Sequence, residues 1–275
     1  MFVVYSNKIY YNCFSQKKVK NKDKIFVGDN VEFCLDEKTN EYIITNVMPR
    51  KNKLIRPFVT NVTQVFIMLA SVPAPDFVLI DKLIINALMN NIKPVILVNK
   101  CDLTNEVYNL VKTEYENANI EIINISTKTE LNLNILKEKL KNNITVLAGQ
   151  SATGKTSLLN KLCLKDNKVD VVSKILRGKN TTTNAELIVI DENTFLLDTA
   201  GFSKLELQNL DPILIKYYYN EFKPFVCNFN NCIHITEGEK FCGVLKNINK
   251  ININRYNRYK QIYEECKDFW SKRYD

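Results

Sequence analysis

This 275-residue sequence has one histidine, seven glycines and no long apolar stretch. Its apolar runs fall short of the roughly 18 residues of a membrane-spanning helix, so we expect no membrane insertion. The first residues, MFVVYSNKIYYNCF, lack the basic start and apolar core of a signal peptide, so we expect a cytoplasmic protein. Because glycine is scarce, a match to a glycine-dependent motif is seldom accidental.

The net charge of +8 is concentrated at the two ends of the sequence. Residues 1–60 contain 11 Lys and Arg against 6 Asp and Glu, and residues 213–275 contain 11 against 7, whereas residues 61–212 contain 16 against 17. Basic flanks around a neutral centre favour an anionic macromolecular partner. A lysine-rich solvated surface is the alternative explanation, and charge alone does not separate the two.

Three segments differ in their hydrophobic pattern. Residues 1–60 hold short alternating runs such as DNVEFCL, which predict a small all-β domain. Residues 61–212 alternate apolar runs with helical stretches, a pattern typical of a parallel α/β sheet. Residues 213–275 are aromatic, cysteine-bearing and predicted to be helical. The basic stretch from Met48 to Pro57 contains two prolines and is predicted to be a linker.

The stretch GQSATGKTSL fits the G-x-x-x-x-G-K-[ST] loop that binds nucleotide phosphates. NITVLAG supplies the strand before it and KTSLLNKLC the helix after it, which is the context that this loop requires. Lys155 is predicted to reach the β- and γ-phosphates, and Thr156 is predicted to bind Mg²⁺. The predicted phosphate-site residues are Gly149, Gln150, Ser151, Ala152, Thr153, Gly154, Lys155, Thr156 and Ser157.

Two further motifs precede this loop, and each follows an apolar strand. NKCD ends the strand PVILV, and its Asp102 can accept hydrogen bonds from guanine N1–H and the exocyclic amine. Adenine has no N1–H and would leave this carboxylate unsatisfied, so the motif predicts selection of guanine. The backbone amides of IST are predicted to close over guanine O6. The predicted guanine-site residues are Asn99, Lys100, Cys101, Asp102, Ser126 and Thr127.

The remaining motifs, GKNTTT and DTAG, follow the phosphate loop. Open α/β sheets bind ligands at the ends of their strands, where these motifs are predicted to lie. Their cyclic order is that of a GTPase whose chain was cut between DxxG and NKxD. We therefore predict a circularly permuted P-loop GTPase domain over residues 61–212.

This order, with VGDNV and PRKNKLIRP in front and a cysteine module behind, resembles the circularly permuted, small-subunit-dependent GTPases of bacterial ribosome biogenesis. The resemblance covers essentially the whole chain. It implies an RNA-binding OB-fold barrel at residues 1–60, the permuted GTPase domain at 61–212 and a zinc-binding helical domain at 213–275. It also implies binding to the small ribosomal subunit and its rRNA late in maturation, with hydrolysis of GTP. We expect the protein to be a monomer.

The resemblance also implies roles for residues after the phosphate loop. By its match to related GTPases, Thr182 is predicted to bind Mg²⁺ with Thr156, and Thr181 is the second choice. Asp198 is predicted to hold the ion through water, and the Gly201 amide is predicted to sense the γ-phosphate. The predicted catalytic set is Lys155, Thr156, Thr182, Asp198 and Gly201.

Two groups that would orient the attacking water are missing from these motifs. Ras-like proteins carry a glutamine after the DxxG glycine, where this chain has Phe202, and the family's switch histidine is replaced by Asn180. We expect slow hydrolysis alone and stimulation by the small subunit. The alternative function is an RNA-binding assembly module whose nucleotide site is mainly structural.

The single histidine lies among cysteines in CNFNNCIHITEGEKFC. Three thiolates and an imidazole form a closed tetrahedral set typical of structural zinc sites. The alternatives are a disulfide, which a cytoplasmic location disfavours, or side chains that bind no metal. The predicted zinc ligands are Cys227, Cys232, His234 and Cys242.

The last helix is predicted to be amphipathic. An aromatic stripe indicates packing against the domain, with stacking on RNA as the alternative; it consists of Tyr256, Tyr259, Tyr263 and Trp270. The basic side chains Arg255, Arg258 and Lys260 lie largely elsewhere on the helix and are predicted to be the RNA contact.

Overall fold

The computed structural model describes residues 1–16, 19, 24–54, 58–163, 185–199, 207 and 210–272. Two compact units are present, and each combines segments that are far apart in the sequence. The first contains Met1–Val65, Leu133–Leu147 and Lys155–Phe202, and the second contains Phe66–Asn132, Ala148–Gly154 and Ser203–Asp275. The predicted domain boundaries after residues 60 and 212 follow composition rather than these units, and they stay predictions.

In the N-terminal part of the first unit, the described residues form four strands, as the alternating pattern predicts. Its strands form one sheet in the order β1-β2-β4-β3; they are β1 (Phe2–Ser6), β2 (Ile9–Ser15), β3 (Val31–Asp36) and β4 (Glu41–Val47). β1 and β2 are antiparallel, and the turn between them has positive φ at both Asn7 and Lys8, as a type I′ hairpin turn requires. β3 and β4 are antiparallel, while β2 and β4 are parallel.

The segment predicted to be a linker is partly folded. β5 (Lys53–Leu54) pairs antiparallel with β6 (Val59–Thr60). Arg50 donates from Nε to Asp29 Oδ1 at 2.7 Å and from Nη2 to the Lys24 carbonyl at 2.7 Å. An ion pair therefore holds this stretch to Asp29, and a short ladder pairs it with residues 59–60, contacts that composition does not reveal.

A sheet of six described strands has the order β11-β12-β10-β7-β8-β9. β8 and β9 are parallel, as are β10 and β12, whereas β11 is antiparallel to β12 at one edge. β7, β8 and β10 are almost entirely buried, which explains their continuous apolar sequences. The predicted α/β sheet is confirmed. Its strands are β7 (Gln64–Ala70), β8 (Lys93–Asn99), β9 (Glu121–Asn124), β10 (Ile144–Gly149), β11 (Ala185–Asp191) and β12 (Thr194–Thr199).

The helices that alternate with these strands are α1 (Phe77–Met89), α2 (Glu106–Glu114), α3 (Leu133–Leu140) and α4 (Lys155–Cys163). Asp76 caps α1 by accepting a hydrogen bond from the Leu79 amide at 2.9 Å. α1 buries an apolar face, but it also buries Asp81, which is only 1% exposed. A carboxylate buried to this extent needs charged partners.

Two helices end the described chain, α5 (Gly243–Lys246) and α6 (Ile253–Ser271). The predicted packing of the tyrosine stripe is confirmed for Tyr256, Tyr259 and Tyr263, which are all buried. The prediction that Arg255 and Arg258 contact RNA is wrong, because both guanidinium groups are buried in ion pairs. Their partners are Asp81, Glu114 and Glu221. Within the described residues, no helix is long and apolar enough to cross a membrane.

Candidate guanine-nucleotide site and candidate metal centre

The phosphate loop starts where β10 ends and requires glycine at both conserved positions of its motif. Gly149 and Gly154 have φ values of 124° and 97°, in the region that favours glycine. A Cβ at Gly149 would lie 2.1 Å from the Met68 carbonyl oxygen, and one at Gly154 would lie 2.3 Å from Asn99 Nδ2. The loop is therefore built on close backbone approaches that no other residue allows.

Helix α4 begins directly after this loop, at Lys155. The free amides of a helix N-terminus and the positive end of its dipole favour bound phosphate. Lys155 is half-buried, and Thr156 and Ser157 are exposed, so all three are accessible to a ligand. The predicted phosphate-binding residues thus occupy the strand–loop–helix arrangement that their sequence motif requires.

Asn99 joins the predicted guanine motif to the phosphate loop. It lies at the buried end of β8, where its Oδ1 accepts a hydrogen bond from the Thr127 amide at 3.1 Å. Its Nδ2 donates to the Thr153 carbonyl at 2.9 Å. One side chain therefore holds together the NKCD, IST and phosphate-loop segments. The predicted contact of Asn99 with the nucleotide stays a prediction.

Lys100 and Gln150 connect the loop after β7 to the NKCD motif and the phosphate loop. Lys100 Nζ donates to the Val72 carbonyl at 2.6 Å and to the Ala152 carbonyl at 3.0 Å. The Gln150 side chain accepts from the Asp76 amide at 2.9 Å and donates to the Ala74 carbonyl at 3.2 Å. Sequence reasoning did not include residues 72–76, although they follow a buried strand like the other motifs and lie at the same edge of the sheet.

Asp102 is exposed and hydrogen-bonded to Ser126. Its Oδ1 accepts from Ser126 Oγ at 2.6 Å, and this hydrogen bond lowers the pKa of Asp102 below its ordinary value. An ionised carboxylate is the acceptor that guanine N1–H needs. Ser126 is fully buried, and its Oγ also accepts from the Thr129 amide at 3.1 Å. The side chain of Ser126 thus orients Asp102, a role that the sequence did not indicate.

The amides of IST have protein partners in this structure. Ser126 N donates to the Leu131 carbonyl at 3.3 Å, and Thr127 N donates to Asn99 Oδ1. Their contact with guanine O6 stays a prediction. Cys101 is buried, and its Sγ lies 3.2 Å from the Val98 carbonyl oxygen.

The switch residues lie largely outside the described part of the chain. The predicted residues Asn180, Thr181, Thr182, Gly201 and Phe202 are all outside it. Asp198 lies in β12, but its side chain is not described. Their predicted roles in binding Mg²⁺ and sensing the γ-phosphate stay predictions.

The three cysteines and the histidine of the C-terminal segment converge. The ligand atoms of Cys227, Cys232, His234 and Cys242 lie within 4.8 Å of one another. The three sulfurs lie 3.3 to 3.5 Å from His234 Nδ1. Tetrahedral zinc with ordinary Zn–S and Zn–N distances would place them about 3.6 Å apart. The donor set and its spacing therefore fit zinc.

The protonation state of His234 and the backbone supports of this cluster also suit a metal. Burial lowers the pKa of His234 to about 4, so the imidazole is neutral at pH 7, as a ligand must be. The Tyr256 hydroxyl donates to the His234 carbonyl at 2.7 Å, and Lys216 Nζ donates to the Cys232 carbonyl at 2.8 Å. All eight cysteines are free thiols, so no disulfide competes for these ligands.

Comparisons with known proteins agree with this arrangement. The family model described as RsgA GTPase matches residues 47–208. The small ribosomal subunit biogenesis GTPase RsgA of Ruminiclostridium cellulolyticum is 39% identical over 259 residues, which cover 90% of this chain and 84% of the relative. The protein of the same name from Thermotoga maritima is 37% identical over 250 residues, covering 88% of this chain and 84% of the relative.

Two solved structures share the fold. The crystal structure of YjeQ from Thermotoga maritima has a TM-score of 0.80 and 31% identity, and the match covers 94% of this chain and 91% of that one. The structure of YloQ, described as a circularly permuted GTPase, has a TM-score of 0.77 and 25% identity, with coverage of 94% and 87%. The predicted circular permutation is therefore confirmed, and the chain belongs to the RsgA GTPase family.

Proposed function

We propose that this protein is a GTPase that binds the small ribosomal subunit and assists its late maturation. Family membership supports hydrolysis of GTP, and the relatives are named for biogenesis of the small subunit. The observation that carries the proposal is the position of Asn99, which bonds to both Thr127 and Thr153. The guanine-reading strands and the phosphate loop are thereby assembled into one site, although they occur in permuted order.

The chain's own residues would position the nucleotide for phosphoryl transfer. The loop amides and Lys155 hold the phosphates, and Asp102 reads the guanine edge. Thr156 and Thr182 would hold Mg²⁺, Asp198 would hold it through water, and the Gly201 amide would sense the γ-phosphate. When bound, Mg²⁺ neutralises charge that develops on the phosphate oxygens.

Hydrolysis by the free protein is slow in this proposal. Phe202 and Asn180 occupy the two positions from which related proteins orient the attacking water, and neither can take its proton. The small subunit then completes the site, either by restraining the switch segments or by supplying a group. GTP favours the bound state and hydrolysis favours release, because linked binding equilibria are reciprocal.

The subunit is recognised mainly through its rRNA, and the protein acts as a monomer in the cytoplasm. The basic excess of residues 1–60 supports an RNA partner, because phosphate contacts dominate the affinity of such complexes.

One structural zinc ion stabilises the C-terminal segment. Its ligands are Cys227, Cys232, His234 and Cys242. Zinc takes no part in the chemistry, since four protein ligands leave no open position.

A second candidate is an RNA-binding assembly module whose nucleotide site serves mainly to stabilise the fold. Phe202 favours it, because a site without a water-orienting group can bind GTP without turning it over.

The two candidates differ in turnover. Multiple-turnover GTP hydrolysis should be measured with purified protein alone and during titration with small ribosomal subunits, at low and moderate salt. We expect a slow basal rate that rises with subunit concentration. If the rate of GTP hydrolysis does not change with subunit concentration at either salt concentration, the stimulated GTPase is excluded. If the protein binds the subunit but does not hydrolyse GTP, the assembly module is favoured.

A further inference from the structure

Two stacked phenylalanines in the first unit are surrounded by cations. The rings of Phe26 and Phe58 have centroids 5.7 Å apart with an interplanar angle of 23°, and both residues are half-buried. Lys24 Nζ lies 5.8 and 5.7 Å from the two centroids. Lys53 Nζ and Arg50 Cζ lie 4.5 and 5.0 Å from the Phe26 centroid. We call these five residues the aromatic–cationic patch.

The backbone beneath the patch is held firmly. Val27 and Val59 form a parallel bridge, and each is preceded by one of the two phenylalanines, so both rings project from the same side. Thr60 N donates to the Val27 carbonyl at 3.0 Å. Gly28 has a φ of 91°, and a Cβ there would lie 2.4 Å from the Thr60 carbonyl oxygen. The rings are therefore presented by a preorganised scaffold.

The patch carries surplus positive charge. Arg50 forms a two-pronged ion pair with Asp29, with N–O distances of 2.7 and 2.9 Å. Although burial opposes ionisation of Asp29, hydrogen bonds from Arg50 and its neighbours hold the pKa of Asp29 below its ordinary value, so these two charges cancel. Lys24 and Lys53 are exposed, and neither forms an ion pair with a described residue. Two lysines are thus left to attract an anion.

We propose that the aromatic–cationic patch binds single-stranded RNA. One base would stack on the phenylalanine pair while Lys24 and Lys53 attract the flanking phosphates. Aromatic rings beside cations are the combination that binds single strands without strong sequence preference. A duplex keeps its bases stacked inside and cannot offer a base face to these rings. An acidic peptide would pair with the lysines but would leave the rings unused.

The ring that we expect a base to cover is Phe58. Among the cationic side chains of the described residues, only Lys24 lies over the Phe58 ring, whereas Lys24, Arg50 and Lys53 all lie near Phe26. This inference rests on the proposed function, because the rRNA of the small subunit is the source of the single strand.

A tryptophan reporter tests the stacking directly. Phe58→Trp should be made in a Trp270→Phe background, since Trp270 is the only tryptophan. We expect an oligouridine of about 12 nucleotides to quench its fluorescence. An abasic oligomer of the same length, which keeps the phosphates but lacks bases, should not. Phe14→Trp is the matched control, because Phe14 is a 44% exposed aromatic residue of β2 outside the patch.

A second variant tests the contribution to affinity. Phe26→Leu combined with Phe58→Leu keeps apolar side chains but removes the rings, and it should weaken oligouridine binding roughly ten-fold. Phe14→Leu should leave affinity unchanged. Circular dichroism and the thermal unfolding midpoint should show that each variant folds like the wild type.

Several outcomes would overturn the proposal. One is that the abasic oligomer quenches the Phe58→Trp fluorescence as strongly as oligouridine does. Another is that the double leucine variant binds oligouridine as tightly as the wild type. A third is that Phe14→Leu loses as much affinity as the double leucine variant. Loss of subunit binding by the double variant, when the wild type binds no RNA, would assign the patch to a protein partner instead. If the wild type fails to bind small subunits at all, the proposed function fails. If it binds them and the double variant binds equally well, only the patch proposal fails.

Discussion

Arg258 donates from Nε to Asp81 Oδ2 at 2.7 Å, joining α6 to α1 across 177 positions of the sequence. Asp81 also accepts from Arg255 Nη1 and from the Tyr115 hydroxyl. Each guanidinium group has a second carboxylate partner: Arg255 pairs with Glu221 at 2.8 Å, and Arg258 pairs with Glu114 at 2.7 Å. Within the second unit, this buried network binds the C-terminal helix to the helices beside the guanine motif.

Removing Asp81 should destabilise this unit strongly. Asp81→Ala leaves two buried guanidinium groups without a shared partner, and breaking a buried pair costs about 3–5 kcal/mol. Urea unfolding monitored by circular dichroism measures the change. The control is Glu138→Ala, which breaks an exposed pair with Lys141 and should cost no more than about 1 kcal/mol. If both variants lose the same free energy of unfolding, the buried network contributes no more to stability than an exposed ion pair.

Asp102 should select guanine. Asp102→Asn replaces a charged acceptor with an amide and should weaken GTP binding roughly ten-fold or more. Xanthosine triphosphate, whose edge offers a carbonyl at the position of the guanine amine, should recover part of the affinity. Titration calorimetry measures the affinities of the wild type and of Asp102→Asn for GTP and for xanthosine triphosphate. Equal affinity of the wild type for ATP and GTP would contradict the assignment.

Gly154→Ala should abolish tight nucleotide binding. The new methyl group would meet Asn99 Nδ2 at 2.3 Å and would also require a φ of 97°, so the loop must move. We expect GDP affinity to fall at least about ten-fold, in line with the 1–3 kcal/mol cost of such strain. Gly238→Ala is a matched control, because its φ is 75° but nothing lies within 4 Å of the added carbon. A similar loss of GDP affinity in both variants would point to general destabilisation.

Metal analysis of the purified protein should find about one zinc ion per chain. Cys232→Ser should lose it and expose the C-terminal segment to proteases, because metal binding supplies much of the folding free energy of such a cluster. Cys34→Ser, which removes an exposed thiol outside the cluster, should retain the metal. The zinc centre would be refuted if the wild-type protein, purified under reducing conditions, contained no zinc and its C-terminal segment still resisted proteases.

The kind of site and the order of its parts follow from local sequence patterns. The phosphate loop, NKCD and the Cys–His spacing are local patterns, and each needs only a few neighbouring residues to specify its chemistry. The tyrosine stripe on α6 was likewise predictable, since the 3.6-residue period of a helix places those rings on one face. Short local patterns of this kind survive circular permutation because they do not depend on where the chain begins.

Which charges are available to a partner depends instead on tertiary packing. Arg255 and Arg258 appear in the sequence as a basic helix face, yet their carboxylate partners come from residues 81, 114 and 221. The pairing of Ser126 with Asp102 and the stacking of Phe26 on Phe58 also join residues that are more than 20 positions apart in the sequence. Such contacts depend on how distant segments pack, and the free energy of a charge depends on its burial and partners rather than on its sequence neighbours.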